Sequence, residues 1–254
     1  MDDFDEMVVA GHDGSAAAEA STAWAAMAAQ ALGRPLMVLH KLAGEEADAL
    51  AQGFPQATLR RVERLLRTEL KQATASALMV VLPARGAGAR MAQVLDATAD
   101  EVLSEAQGPV VIVPRNCWNQ FPAPVVLGLD VERPGLDSLR FAGMIAQSTG
   151  STLQVLAAHD GMEQQADQTL TTARELVGEH VPDLAEESVD VRVKMWRPSD
   201  ALLSLGEGSS LLVVGSRDHG FRGAAVDSES RRVLRSATCP VAVVAGSWNQ
   251  HRSS

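Results

Sequence analysis

Cysteine is nearly absent: Cys117 and Cys239 are the only two in 254 residues, one in a proline-containing stretch and one beside a short apolar run. That count excludes a disulfide framework, and the six scattered histidines show no HxxxH or CxxC spacing that would mark a zinc site. Lysine occurs only at Lys41, Lys71 and Lys194, and there is neither a Walker-type lysine pattern nor a nucleophile elbow. The chain is therefore read as non-catalytic and free of metal. No run of basic residues interrupts a formal net charge of -10, which argues against a nucleic-acid partner. No apolar run approaches the roughly 20 residues needed to cross a bilayer. The amino terminus, Met1-Asp2-Asp3-Phe4-Asp5-Glu6, is acidic where a secretory signal would be basic. The expectation is a cytoplasmic protein with no membrane contact.

What the chain has in quantity is apolar surface, 46% of its residues, arranged in short runs. Met7–Ala10 reads as a buried strand that feeds the polar turn Gly11-His12-Asp13-Gly14-Ser15. Ala16–Leu32 follows as a helix, with Trp24, Met27 and Ala31 at helical spacing and Gly33 as its stop, and Leu36–Leu39 reads as a second buried strand. Strand, helix and strand with short connections form the βαβ unit of a parallel sheet.

The pattern restarts at Val125, after a linker from Pro114 to Pro124. Val125-Val126-Leu127-Gly128-Leu129-Asp130 repeats Val8-Val9-Ala10-Gly11-His12-Asp13, and Phe141, Met144, Gln147 and Gly150 follow Trp24, Met27, Gln30 and Gly33 at a constant offset of 117. Towards the ends of the halves the offset becomes 131, pairing Val102-Leu103 with Val233-Leu234 and Gly108-Pro109-Val110 with Cys239-Pro240-Val241. The chain is a tandem duplication, with halves expected at residues 1–115 and 123–247. The change of offset means that the first half is shortened in its middle. One long helix, Gln56–Gln72, is expected there, with loss of a helix, alone or together with a strand. The second half is expected to carry a helix over Asp167–Val177 stopped by Gly178, a strand over Glu187–Val193 and a helix over Pro198–Leu205.

Three motifs carry a resemblance: the strand-end Gly-x-Asp at Gly11-His12-Asp13 and Gly128-Leu129-Asp130, the turn VVGSR…GFRG that begins at Val213, and the ending VLRSATCPVAVV from Val233 to Val244. Both halves resemble universal stress protein domains, and the whole resembles a tandem member of that family. The resemblance implies two doubly wound parallel sheets of the adenine-nucleotide alpha hydrolase-like type, each with strand order 3-2-1-4-5. It also implies pairing of the two domains through their last strands, Val110–Val113 and Val241–Val244. Those strands are short and uniformly apolar, and as sheet edges they must be paired or covered by their own loops. A further homodimer stays open, and no protein partner is indicated.

Nucleotide-binding members of the family share a G-x2-G-x9-G-S/T turn around the phosphates, with the strand-end aspartate on the ribose. Carried onto the second half, Gly215 stands at the first glycine, Asp218 at the second, Asp227 at the third and Ser228 at the hydroxyl, and the spacing is one residue short. The candidate nucleotide contacts are Asp13, Gly128, Asp130, Gly215, Ser216, Arg217, Gly220 and Ser228. A carboxylate about 4 Å from a phosphate charge repels it by roughly 4 kcal/mol at an effective dielectric near 20. A helix terminus attracts an anion by only about 0.3–1 kcal/mol, and at most about 2. Repulsion wins, and Asp227, with its first-half counterpart Asp96, reads as a cap that fills the anion site from within. In the first half Leu82-Pro83-Ala84 stands where the second has Gly215-Ser216-Arg217. The crevice is thus expected to be degenerate in both halves, with no resident cofactor. The alternative is ATP bound by the second half, with slow hydrolysis. Asp13 and Asp130 are read either as ribose contacts or as local structure, Asp13 capping the first helix and Asp130 holding the turn at Val131-Glu132-Arg133-Pro134. His40 and His159, near the ends of second strands, either line the crevice or are satisfied polar residues.

Overall fold

A computed structural model describes residues 4–84, 97–115, 117, 121–159, 165–195, 198–216, 228–245 and 248. The first half runs β1 (Val8–His12), α1 (Ala16–Leu32), β2 (Leu36–His40), α2 (Glu45–Gly53), β3 (Thr58–Arg61), α3 (Leu66–Ala73), β4 (Met79–Pro83), α4 (Ala97–Glu105) and β5 (Val110–Val113). The second half runs β6 (Val125–Asp130), α5 (Leu136–Thr149), β7 (Leu153–His159), α6 (Ala166–His180), β8 (Val189–Met195), α7 (Pro198–Gly206), β9 (Leu211–Gly215), α8 (Ser228–Ser236) and β10 (Val241–Val244).

Local chemistry sets the helix ends. Ser15 is the N-cap of α1, its hydroxyl accepting the Ala18 N–H at 3.2 Å, and Gly33 closes the helix in the left-handed region at φ 62°. Gly150 ends α5 in the same way at φ 67°. The buried alanines Ala18, Ala25, Ala28 and Ala29 leave α1 a smooth face that packs closely on the sheet.

All ten strands lie in one sheet, ordered β3-β2-β1-β4-β5-β10-β9-β6-β7-β8. Pairing is parallel within each half. At the centre β5 meets β10 antiparallel, with Val111 opposite Ala242 and Ile112 opposite Val241. The two apolar strands that would have been edges thus satisfy each other's backbone, which is the internal pairing that the family resemblance implies and one of the two outcomes that their composition allows. One core cluster on the α1 and α5 face runs across this seam from Trp24 to Phe141, and a second fills the opposite face. The outer edges are charged instead: β8 carries Asp190, Arg192 and Lys194, and β3 carries Arg60 and Arg61.

The first half is shorter than the second, yet no element is missing. The expected single helix over Gln56–Gln72 is instead strand β3 followed by α3, with α2 ahead of them. β3 is only four residues long and contains two arginines, so its own sequence carries no strand signal. Its conformation comes from pairing with β2, from Met37 opposite Thr58 to His40 opposite Arg61. The length difference lies between the start of the second strand and the start of the third, Leu36 to Thr58 against Leu153 to Val189, where α2 has nine residues and α6 has 15. Gly178 does not stop α6, which continues to His180. The strand expected over Glu187–Val193 starts at Val189 and runs to Met195.

Candidate functional site

The geometry of a site comes from where neighbouring strands part. β6 pairs with β9 only from Val125 opposite Leu211 to Leu127 opposite Val213. Beyond that, β6 stays with β7 as far as Asp130, and β9 stays with β10 as far as Gly215. The two strands therefore separate at their carboxyl ends, at the point where strand order reverses, which is where an open α/β sheet forms its crevice. The first half does the same, β1 and β4 pairing only through Ala10 and Val81.

One wall of the second crevice is the end of β9. The Ser216 N–H is spent on Val244 O at 2.9 Å, and Ser230, in the first turn of α8, donates to Gly215 O at 3.5 Å. That contact lies between the first turn of α8, which opens at Ser228, and the strand end. The facing wall is the loop into α5. A Cβ on Gly135 would lie 2.8 Å from Ser138 Oγ and 3.9 Å from Gly215 Cα, so the two glycines let the walls approach. Ser138 is buried and donates to Gly135 O at 2.7 Å. Neither Ser138 nor Ser230 was signalled by a motif.

The strand-end aspartates are engaged locally. Asp130 Oδ1 accepts the N–H groups of Glu132 at 3.0 Å and Arg133 at 3.2 Å, folding the turn that follows. Asp13 Oδ1 accepts the Ser15 N–H at 3.0 Å. Asp13 is not the helix cap, because Ser15 holds that position and the aspartate orders the turn one step earlier. Gly128 has a packing role: a Cβ there would lie 2.9 Å from Leu202 Cδ1 of α7. Gly11 stands in the same relation to Leu70 of α3, again at 2.9 Å.

Strand pairing also corrects the alignment of the halves by one residue. Pro83 lies opposite Val113 as Gly215 lies opposite Val244, and the Ala84 N–H donates to Val113 O as Ser216 does to Val244 O. Proline therefore occupies the place of the first glycine, with Ala84 in that of Ser216. Arg217 and Gly220 lie outside the described residues, as do Asp96, Asp218 and Asp227. Of His159 and Ser228, only the backbone placement at the end of β7 and the start of α8 is described.

Two histidines are buried at the first-half crevice, both 5% exposed. His12 Nδ1 lies 3.0 Å from Thr22 Oγ1 of α1, and burial holds its pKa below the ordinary value. His40 is pushed down by burial first and by the Arg61 guanidinium second, and its buried Nδ1 has no hydrogen-bond partner. Each ends a strand on the same face, so His12 could have been paired with His40 from residue parity once the β1–β2 register was known. Among the described residues no cluster of His, Cys, Asp and Glu could hold a metal ion, and no helix is long and apolar enough to cross a membrane.

The sequence model of the Universal stress protein family matches residues 123–245. A universal stress protein of Mycolicibacterium smegmatis is 30% identical over 287 residues, covering 93% of this chain and 96% of that protein. One from Mycobacterium tuberculosis is 26% identical over 289 residues, covering 93% and 95%. In structure the chain is similar to a universal stress protein from Archaeoglobus fulgidus, with a TM-score of 0.76 over 94% of this chain and 98% of that one at 19% identity, a likeness of fold. Both halves carry the split-strand crevice, the seam joins them into one sheet, and the similarity extends along nearly the whole length of its relatives: the chain belongs to the universal stress protein family.

Proposed function

We propose that this chain is a non-catalytic regulatory module of stress adaptation whose nucleotide crevices are degenerate in both halves. The observation that carries the reading is Pro83 at the ladder position of Gly215. Proline has a fixed φ and no N–H to offer a phosphate, so the first-half turn lacks what an anion would need. In the second half the glycine survives, yet the Ser216 N–H belongs to the sheet and Asp130 Oδ1 to its own turn. The sequence adds carboxylates, Asp218 and Asp227, where phosphate-binding turns carry glycine. The expected outcome of isothermal titration with ATP and ADP, with and without Mg²⁺, is no micromolar binding. Micromolar affinity would overturn the degenerate reading. Asp218→Gly combined with Asp227→Gly should create binding if the carboxylates are what keeps the phosphate out.

The second reading is an ATP-binding stress sensor that uses the second half, with slow hydrolysis. It is favoured by the close approach of Gly135 and Gly215 at the parted ends of β6 and β9, which leaves backbone rather than side chain against a ligand. Under this reading Gly215→Pro, which copies the first half, would abolish the binding seen in the unmodified chain.

A further inference from the structure

Three basic side chains stand in a row at one end of the first half. His12, His40 and Arg61 close β1, β2 and β3, and they are register partners, His12 opposite His40 and His40 opposite Arg61. Their parity matches Val8 and Ala10, Leu36 and Val38, and Leu59, which pack into the core on the α1 side. Adjacent strands bring such neighbours to about 5 Å. The imidazoles are buried and Arg61 is exposed at the end of the row.

The second half provides an internal comparison. At the same ladder positions it carries Leu129 opposite Ala157 and Ala157 opposite Val193, an entirely apolar row. The duplicated fold therefore does not require ionisable groups here, and the first half alone has them.

We propose that the His12–His40–Arg61 row is an acid-sensitive latch, which keeps the β1–β2–β3 end of the first half closed when both imidazoles are neutral and loosens it when they take up protons. Each proton places a cation in a buried site beside another basic group. The acidic groups near the row are few. Asp13 and Glu19 act on His12 from the β1–α1 turn and α1, both exposed, and Thr22 offers it only a hydroxyl. No acid on β1, β2 or β3 neighbours His40 in the ladder. Glu45, Glu46 and Asp48 in the first turn of α2 are exposed, as is Lys41 next in sequence. Both histidines hold their protons less tightly folded than unfolded, so the stabilisation is complete above the unfolded value, about pH 6.5, and is lost as pH falls below it.

The test is hydrogen exchange on the full chain from pH 7.5 to 5.5, corrected for the intrinsic pH dependence and read separately for the two halves. Each proton taken up on opening raises the opening constant by about tenfold per pH unit, so two histidines give up to about a hundredfold per unit below pH 6.5. That rise is expected for peptides of β1, β2 and β3 and not for those of β6, β7 and β8. The double variant His12→Leu with His40→Ala, which copies the second half, should remove it. Should that variant not fold, Arg61→Val at the exposed end of the row should make the rise shallower, because His40 then loses the neighbouring cation that weakens its hold on a proton. Equal pH slopes in the wild type and in the variants, or an equal rise in both halves, would overturn the proposal.

Discussion

The role given to Gly128 makes a quantitative claim that a double-mutant cycle can decide. The first perturbation is Gly128→Ala, whose methyl would lie 2.9 Å from Leu202 Cδ1 and 3.4 Å from Cδ2. Overpacking of this kind costs about 1–3 kcal/mol. Replacing glycine by alanine also removes unfolded-state entropy, worth about 0.4–1 kcal/mol in the opposite direction, so a net loss is expected. The second perturbation, Leu202→Ala, empties a buried position on α7 and should cost about 2–5 kcal/mol. In the double variant the new methyl occupies part of the space the leucine left. The combined cost should therefore fall short of the sum by about 0.5–3 kcal/mol, the coupling expected of residues in contact. Urea unfolding monitored by circular dichroism measures this as a shift of midpoint at constant slope. A Gly128→Ala variant within about 0.5 kcal/mol of wild type, and additive with Leu202→Ala, would refute the packing role and return Gly128 to the list of ligand-facing residues. Gly11 and Leu70 provide the same cycle in the first half, where Leu82 Cδ2 at 3.2 Å narrows the space further.

Two other outcomes follow from named contacts. Ser15→Ala removes the acceptor for the Ala18 N–H and should lower stability by about 0.5–2 kcal/mol, with Ser15→Thr recovering most of it in thermal denaturation. Burial pushes the Cys239 thiol up to about 11, so it should resist alkylation at pH 8 in the folded chain. Mass spectrometry should find Cys239 labelled only after denaturant is added, whereas the half-buried Cys117 reacts first.

The helix caps and the apolar strands were legible because their causes are local. Gly33 and Gly150 lie where only a residue tolerant of positive φ ends a helix, and a run such as Val241–Val244 has little alternative to a buried strand. β3 was not legible, since Thr58-Leu59-Arg60-Arg61 becomes a strand only by joining β2. The site divided along the same line. The residues at the strand ends were found by their position in the repeat, but their bonds were not. Asp130 could face a ribose or its own turn, and the sequence is the same in either case until the backbone of Glu132 and Arg133 closes on it.

What the sequence by itself determined is the duplication, the two parallel units and the two short apolar strands that had to be paired or covered, because repeat offset and apolar runs are properties of the chain. The tertiary structure alone decided that Pro83 rather than Leu82 replaces Gly215, that Gly128 accommodates Leu202, and that His12, His40 and Arg61 form a row. Each of these is a cross-strand or helix-to-sheet relation. Register and packing place residues distant in sequence within a few ångströms of each other, and no spacing along the chain encodes that proximity.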